Sequence, residues 1–177
     1  MNDIDLNNKV SIVTGGVQGF GLAIVNRFIK SGSKVVIWDQ DQKLLDNCEI
    51  ENVVKIQVDI SNFDSVVNAF KNTLIKVGNV DILINNAGIN QDNLSIRMDI
   101  EEWKKVIDVN LTSTFLLSKF AIKKMLKNKY GKIVNITSVI GHTGNVGQSN
   151  YAASKAAIIS MSKSLALEYA KKNITVN

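Results

Sequence analysis

Short apolar runs alternate along the chain with longer stretches of helical periodicity. Five runs, at 9–14, 34–38, 53–58, 81–84 and 132–136, are rich in β-branched residues and read as strands. Their centres (Val10-Ser11-Ile12-Val13, Val35-Val36-Ile37, Ile82-Leu83-Ile84, Ile133-Val134) are almost continuously apolar rather than alternating. That pattern fits a parallel sheet covered on both faces. Apolar spacing of 3.6 residues predicts helices over about 19–31, 61–77, 101–128 and 151–172. The alternation predicts an α/β fold built from βαβ units. The segment 141–150 is the one long polar loop, and Ile174-Thr175-Val176-Asn177 reads as a strand just beginning. With no linker, repeat or low-complexity stretch, residues 1–177 read as a single domain.

Strand one runs into Thr14-Gly15-Gly16-Val17-Gln18-Gly19-Phe20-Gly21 and then into a helix with Leu22, Ile24, Val25, Phe28 and Ile29 on its apolar face. A glycine-rich turn between a buried strand and a helix N-terminus lets backbone N–H groups approach a pyrophosphate, and the helix dipole favours the anion. Asp39 ends strand two, 18 residues beyond Gly21, where an acid can bind both ribose hydroxyls of NAD and repel a 2′-phosphate. Gln18 stands where a basic side chain would serve NADP, so both positions favour NAD(H) while NADP(H) stays open. Asp59 and Ile60, after strand three, are placed for the adenine edge, with a helix cap at Ser61 as the rival use of that turn.

These motifs resemble the short-chain dehydrogenase/reductase family over the whole chain. Its T-G-x-x-x-G-x-G pattern is matched by Thr14, Gly15, Gly19 and Gly21, and its N-N-A-G motif by Asn85-Asn86-Ala87-Gly88. The resemblance implies a three-layer, doubly wound (Rossmann) sheet, with Asn86, Ala87 and Gly88 beside the cofactor. It maps the catalytic tetrad onto Asn110, Ser138, Tyr151 and Lys155. Tyr151 and Lys155 are four apart and so share one face of a helix. A tyrosine's ordinary pKa near 10 makes it a poor acid–base at neutral pH, and a neighbouring ammonium favours the phenolate. Ser138, at the carboxyl edge of the sheet, can bond a substrate carbonyl. Asn110 falls inside a predicted helix, where Asn is unfavourable; in the family that position interrupts the helix and holds a water of a proton relay. The implied reaction is hydride transfer between nicotinamide and a carbonyl or secondary alcohol, with Tyr151 passing the proton and Lys155 orienting the nicotinamide ribose.

Composition narrows the setting. Of the 177 residues 45% are apolar, which suits a packed globular core, and the single cysteine, Cys48, excludes an intramolecular disulfide framework. The start, Met1-Asn2-Asp3-Ile4-Asp5, has no basic leader region, and no apolar run reaches membrane-span length, so the chain reads as cytoplasmic. The formal charge of +5 is uneven: up to residue 108 there are 15 acids and 11 bases, and beyond it one acid, Glu168, and ten bases. Nearly all the bases are lysines without interleaved aromatics, which argues against nucleic acid.

The strings around 85–98 and 144–155 resemble the family branch that reduces 3-oxoacyl thioesters held on acyl carrier protein. There the resemblance implies that Lys129 and Lys172 receive the acidic carrier; an ordinary solvated lysine-rich helix end is the competing use. The runner-up is an NAD-dependent dehydrogenase of polyols, sugars or hydroxyacyl compounds, and a third reading is a fragment that binds dinucleotide without turnover. His142 and Cys48 have no metal-ligand neighbours in sequence, so no metal is expected, and Trp38 and Trp103 read as packing residues. Apolar stripes on the helices at about 111–128 (Phe115, Phe120, Ile122, Met125) and 151–170 (Ile158, Met161, Leu165, Tyr169) exceed what a lone helix needs. With the resemblance they imply a homodimer or homotetramer. Family members also continue past this point into a substrate-covering segment and a last edge strand, so the domain is expected to be incomplete at its C-terminus. Strand six is then expected to pair poorly and leave an open edge. The chain has no proline, where average usage of about 5% would give roughly nine; a Pro-Gly turn that the resemblance places after strand six explains only part of that.

Overall fold

The computed structural model describes residues 4–177; residues 1–3, the first part of the acid-bearing start, lie outside the described residues. Six strands, β1 (Val10–Thr14), β2 (Lys34–Asp39), β3 (Val54–Gln57), β4 (Ile82–Asn85), β5 (Gly131–Asn135) and β6 (Ile174–Val176), form one sheet in the order β3-β2-β1-β4-β5-β6. All five pairings are parallel. Every residue of β1 and β4 is buried, as their unbroken apolar runs predict for strands at the centre of a covered sheet.

Two clusters on opposite sides of the sheet make the three layers. Trp38, Leu83 and Ile133 pack with residues of α3 (Phe63–Val77), α5 (Ser113–Asn128) and α7 (Ser149–Tyr169). Val13, Ile37 and Ile84 pack with Val25 of α1 (Gly19–Lys30) and Leu45 of α2 (Gln42–Asp46). Trp38 is fully buried, donates its indole N–H to the Thr73 hydroxyl at 3.1 Å and meets Phe70 edge-on. Trp103 is 36% exposed, so it packs only in part.

Several local expectations change. The single helix predicted over 101–128 is α4 (Ile100–Ile107), a π segment (Asp108–Thr112) and α5. Within and just after that widened turn, the Ser113 hydroxyl bonds the Val109 carbonyl and the Thr114 hydroxyl bonds that of Asn110, competing with the backbone ladder. Helix α3 is capped by Asn62, whose side chain accepts from the Ser65 N–H, and not by Ser61. Helices α2 and α6 (Ile140–Thr143) span five and four residues, too few for a 3.6-residue period to show in sequence. α6 occupies part of the expected polar loop, and α7 ends in a 3₁₀ turn (Ala170–Lys172).

Strand β6 pairs fully, contrary to expectation. Ile174, Thr175 and Val176 stand opposite Gly131, Lys132 and Ile133, and Asn177 carries the ladder on by donating to Ile133 O and accepting from the Asn135 N–H. Two of its three side chains, Ile174 and Val176, are buried, which supplies the packing that holds so short a strand. The helix stripes are also less surplus than they read: Ile122, Met125, Ile158 and Leu165 are buried in the chain's own core, and Phe120 stacks on Phe70. Phe115 stays 44% exposed. Among the described residues no helix is long and apolar enough to cross a membrane.

Gly21 shows why the glycine string tolerates no side chain there. A Cβ on Gly21 would lie 2.0 Å from the Gly15 carbonyl oxygen and 2.7 Å from Asn86 Nδ2. Gly21→Ala is expected to lower the unfolding free energy by about 1–3 kcal/mol in denaturant titration, the usual range for overpacking. A variant as stable as the parent would contradict this packing.

Candidate active site

The strand order reverses between β1 and β4, since the connections leaving these two strands run in opposite directions, and this opens a crevice at their carboxyl ends. Thr14 and Asn86 span its floor. The Thr14 hydroxyl donates to Ile84 O at 3.3 Å and accepts the N–H groups of Asn86 and Ala87, both at 3.0 Å. Asn86 Nδ2 returns to the carbonyls of Thr14 (2.9 Å) and Gly15 (3.2 Å). These two side chains hold the turn and the N-N-A-G segment together.

The turn itself fits an anion. Gly15 and Gly19 have φ of +63° and +54°, a region that disfavours L side chains, and the Cβ side of Gly19 is open space. Helix α1 has no acid in its first turn and no side-chain cap from Gln18, so its first amides face that space uncompeted. A cleft next to the turn is lined by Gly15, Gln18, Asp39, Ile60, Ala87 and Gly88, together with Trp38, Gln40, Val58, Ile89 and Val109. One Asp39 oxygen accepts the Asp41 N–H at 3.2 Å. Of the pair predicted for the adenine edge, Ile60 lines the cleft, whereas Asp59 Oδ1 accepts both the N–H and the hydroxyl of Ser61. The shape, the open amides and the absence of acids in the turn fit a dinucleotide.

A second cleft shares Gly88 and Ile89 with the first and brings together Phe20, Asn86, Ser138, Tyr151 and Lys155. Lys155 is only 5% exposed; its Nζ donates to Ile136 O at 2.8 Å and lies 5.6 Å from the centre of the Tyr151 ring. Burial pulls the Lys155 pKa below the ordinary lysine value. Ser138 Oγ accepts the Ile140 N–H, and its carbonyl accepts that of Gly141, which fixes the segment beyond β5. Asn110 lies behind this cleft, 1% exposed. It accepts the Ile89 N–H at 2.8 Å, donates to Ile89 O at 2.9 Å and reaches the Ser154 hydroxyl at 3.2 Å. A Cβ on Gly88 would come within 3.1 Å of Asn110 Oδ1, a tight contact that Asn110 would have to shift slightly to accept.

Sequence reasoning missed Ile89, Asn90, Ile136, Thr137, Ile140 and Gln148 in the second cleft. Ile89 and Asn90 directly follow the N-N-A-G motif and Thr137 adjoins Ser138, so adjacency was a usable signal; Gln148 gave none. His142 is exposed on α6, and Cys48 is half-buried beside Leu44 and Ile50 in a separate surface depression. Neither lines either cleft.

A doubly wound sheet with an anion-ready glycine turn and a tyrosine and a buried lysine at its carboxyl edge defines a nicotinamide-dependent oxidoreductase. A family model for short chain dehydrogenases matches residues 9–177, and the chain belongs to that family. It acts on a CH–OH group and takes a nicotinamide dinucleotide. It is 44% identical to a 3-oxoacyl-[acyl-carrier-protein] reductase of Rickettsia typhi, over 98% of this chain and 72% of that protein. Reductases with the same description from Aquifex aeolicus (41%, covering 99% and 73%) and Synechocystis sp. (42%, covering 97% and 72%) are similarly close.

The buried ammonium gives a pH signature. The unfolded chain keeps the Lys155 proton at pH values where the folded chain has released it, so folding gains stability as pH rises from the depressed folded value toward the ordinary value near 10.4. The unfolding free energy of the parent minus that of Lys155→Met is therefore expected to rise across that window. A difference that stays flat from neutral to alkaline pH would exclude a depressed lysine.

Proposed function

We propose that the chain reduces 3-oxoacyl thioesters to 3-hydroxyacyl thioesters. The convergence of Ser138, Tyr151 and Lys155 on one cleft carries this reading, and the reductases it resembles point to the thioester rather than to a polyol. A nicotinamide dinucleotide, when bound, would supply the hydride. The Tyr151 hydroxyl gives its proton to the carbonyl oxygen, and the Ser138 hydroxyl holds that oxygen while negative charge develops on it. The Lys155 ammonium, desolvated beside the phenol, stabilises phenolate character as the proton leaves and holds the nicotinamide ribose. Asn110 fixes Ile89, and through it the wall shared by both clefts.

Thr14, Gly15, Gln18, Gly19, Phe20 and Gly21 would frame the pyrophosphate of a bound dinucleotide, Asp39 would take its adenosine ribose hydroxyls, and Asp59 and Ile60 would border its adenine. Asn86, Ala87 and Gly88 line the route between the clefts. Gln18, Asp39 and Gln40 put an acid and no base at the ribose end, which supports NADH over NADPH. Asp39→Ser is expected to raise the ratio of kcat/KM for NADPH to that for NADH by about tenfold, equivalent to ~1.4 kcal/mol of relieved repulsion. A parent enzyme already faster with NADPH would overturn the preference.

Lys129 and Lys172 share a surface depression with Leu126, Lys171 and Asn173, a basic rim around an apolar residue that suits an acidic carrier protein. Exchanging either lysine for Glu is expected to raise KM for the carrier-bound substrate severalfold and leave acetoacetyl-CoA unaffected. Equal effects on both substrates would argue for ordinary solvated lysines. The exposed Phe115 supports assembly with a second copy through α5. The reading as a whole is tested by loss of reduced-nicotinamide absorbance with acetoacetyl-carrier protein, acetoacetyl-CoA and a polyol panel run in reverse. Turnover confined to polyols would favour the runner-up, and NADH binding without any turnover would favour the inactive fragment.

A further inference from the structure

The helix that carries Tyr151 begins unusually. Gln148 occupies the cap position of α7, yet its side chain makes no capping bond; its Nε2 donates instead to both carboxylate oxygens of Asp92, at 3.0 and 2.9 Å. The first-turn amide of Tyr151 is satisfied from within the helix, by Asn150 Oδ1 at 2.7 Å. The same Asn150 side chain, fully buried, donates from Nδ2 to Gln91 O at 2.9 Å. A third link runs from the Asn93 N–H to Gly147 O at 2.9 Å. Three consecutive residues after the N-N-A-G segment, Gln91, Asp92 and Asn93, are thus stitched to Asn150, Gln148 and Gly147 just before the phenol. Two residues upstream of that stitch, Ile89 is held on both sides by Asn110.

We propose that Asn150 is a positioning residue for Tyr151, the pin through which the loop after β4 sets the phenol's place in the cleft. It is the one residue of the stitch that bonds both the loop and the Tyr151 backbone. Because the loop's other end is the shared wall at Gly88 and Ile89, one buried amide links the register of that wall to the register of the proton donor. The catalytic consequence rests on the proposed role of Tyr151 as that donor.

The test uses the 177-residue chain. Asn150→Asp keeps an acceptor for the Tyr151 N–H but sets a carboxylate against the Gln91 carbonyl. Asp92→Ala breaks the neighbouring link at an exposed site. The chain has three tyrosines, so the Tyr151 ring-carbon resonance of tyrosine-labelled protein is assigned by its loss in Tyr151→Phe. In Asn150→Asp that resonance is expected to shift or broaden and the Asn93 amide to exchange at least about tenfold faster, with kcat on acetoacetyl-CoA down about tenfold and the Kd for NADH within about twofold of the parent. Asp92→Ala is expected to move each readout the same way by a smaller factor. An unchanged Tyr151 resonance in both variants overturns the proposal, as does a fall in kcat matched by an equal loss of NADH binding. Should the parent turn over no thioester, the substrate reading fails while the Tyr151 resonance still decides the positioning role.

Discussion

The site depends on the contact between Thr14 and the segment after β4. A parallel sheet whose crossovers diverge leaves its two central strands with carboxyl ends that no loop joins, and something must hold that gap to a fixed width. One hydroxyl does so by donating to one strand's last turn and accepting two successive N–H groups, while Asn86 returns two bonds to the opposite carbonyls. Those groups would otherwise be left unpaired in a half-buried crevice, so the junction is stabilising and also sets the register of the two strand ends. Gly15 and Gly21 must then lack side chains, because the helix after the turn sits directly against this junction.

From that junction the two halves of the chemistry are placed by one continuous wall. Ala87, Gly88 and Ile89 line the cleft beside the glycine turn, and Gly88 and Ile89 also face the cleft that holds Ser138, Tyr151 and Lys155. Asn110 supports the wall from behind and reaches Ser154, one residue before the lysine. Lys155 is kept out of water, with the Ile136 carbonyl as its hydrogen-bond acceptor. An ammonium so placed is more responsive to a forming phenolate than a solvated one, because the field between them is less screened.

Much of this was legible from the chain. The unbroken apolar runs announce buried parallel strands, the glycines announce a tight turn between strand and helix, and Tyr151 and Lys155 one helical turn apart announce two side chains that share one cleft. What escaped the sequence are contacts between distant residues. Asn110 looks like a misplaced helix residue until its two bonds to Ile89, 21 positions away, are seen. Gln148 looks like a loop residue and turns out to grip Asp92, 56 positions away. Strand β6 reads as too short to pair because its stability comes from burying Ile174 and Val176, which no local pattern records.

The central claim is that Tyr151 protonates a thioester's 3-oxo group as hydride arrives from the nicotinamide. The most direct measurement follows deuterium from C4-deuterated NADH into the product by mass spectrometry, with acetoacetyl thioester as substrate and Tyr151→Phe as the comparison. The account predicts one deuterium on the carbinol carbon with the parent chain and transfer reduced by two orders of magnitude or more, on the order of 10²–10⁴, in Tyr151→Phe. Label transfer that is equal in the two proteins, or absent from both while NADH binds, would contradict it.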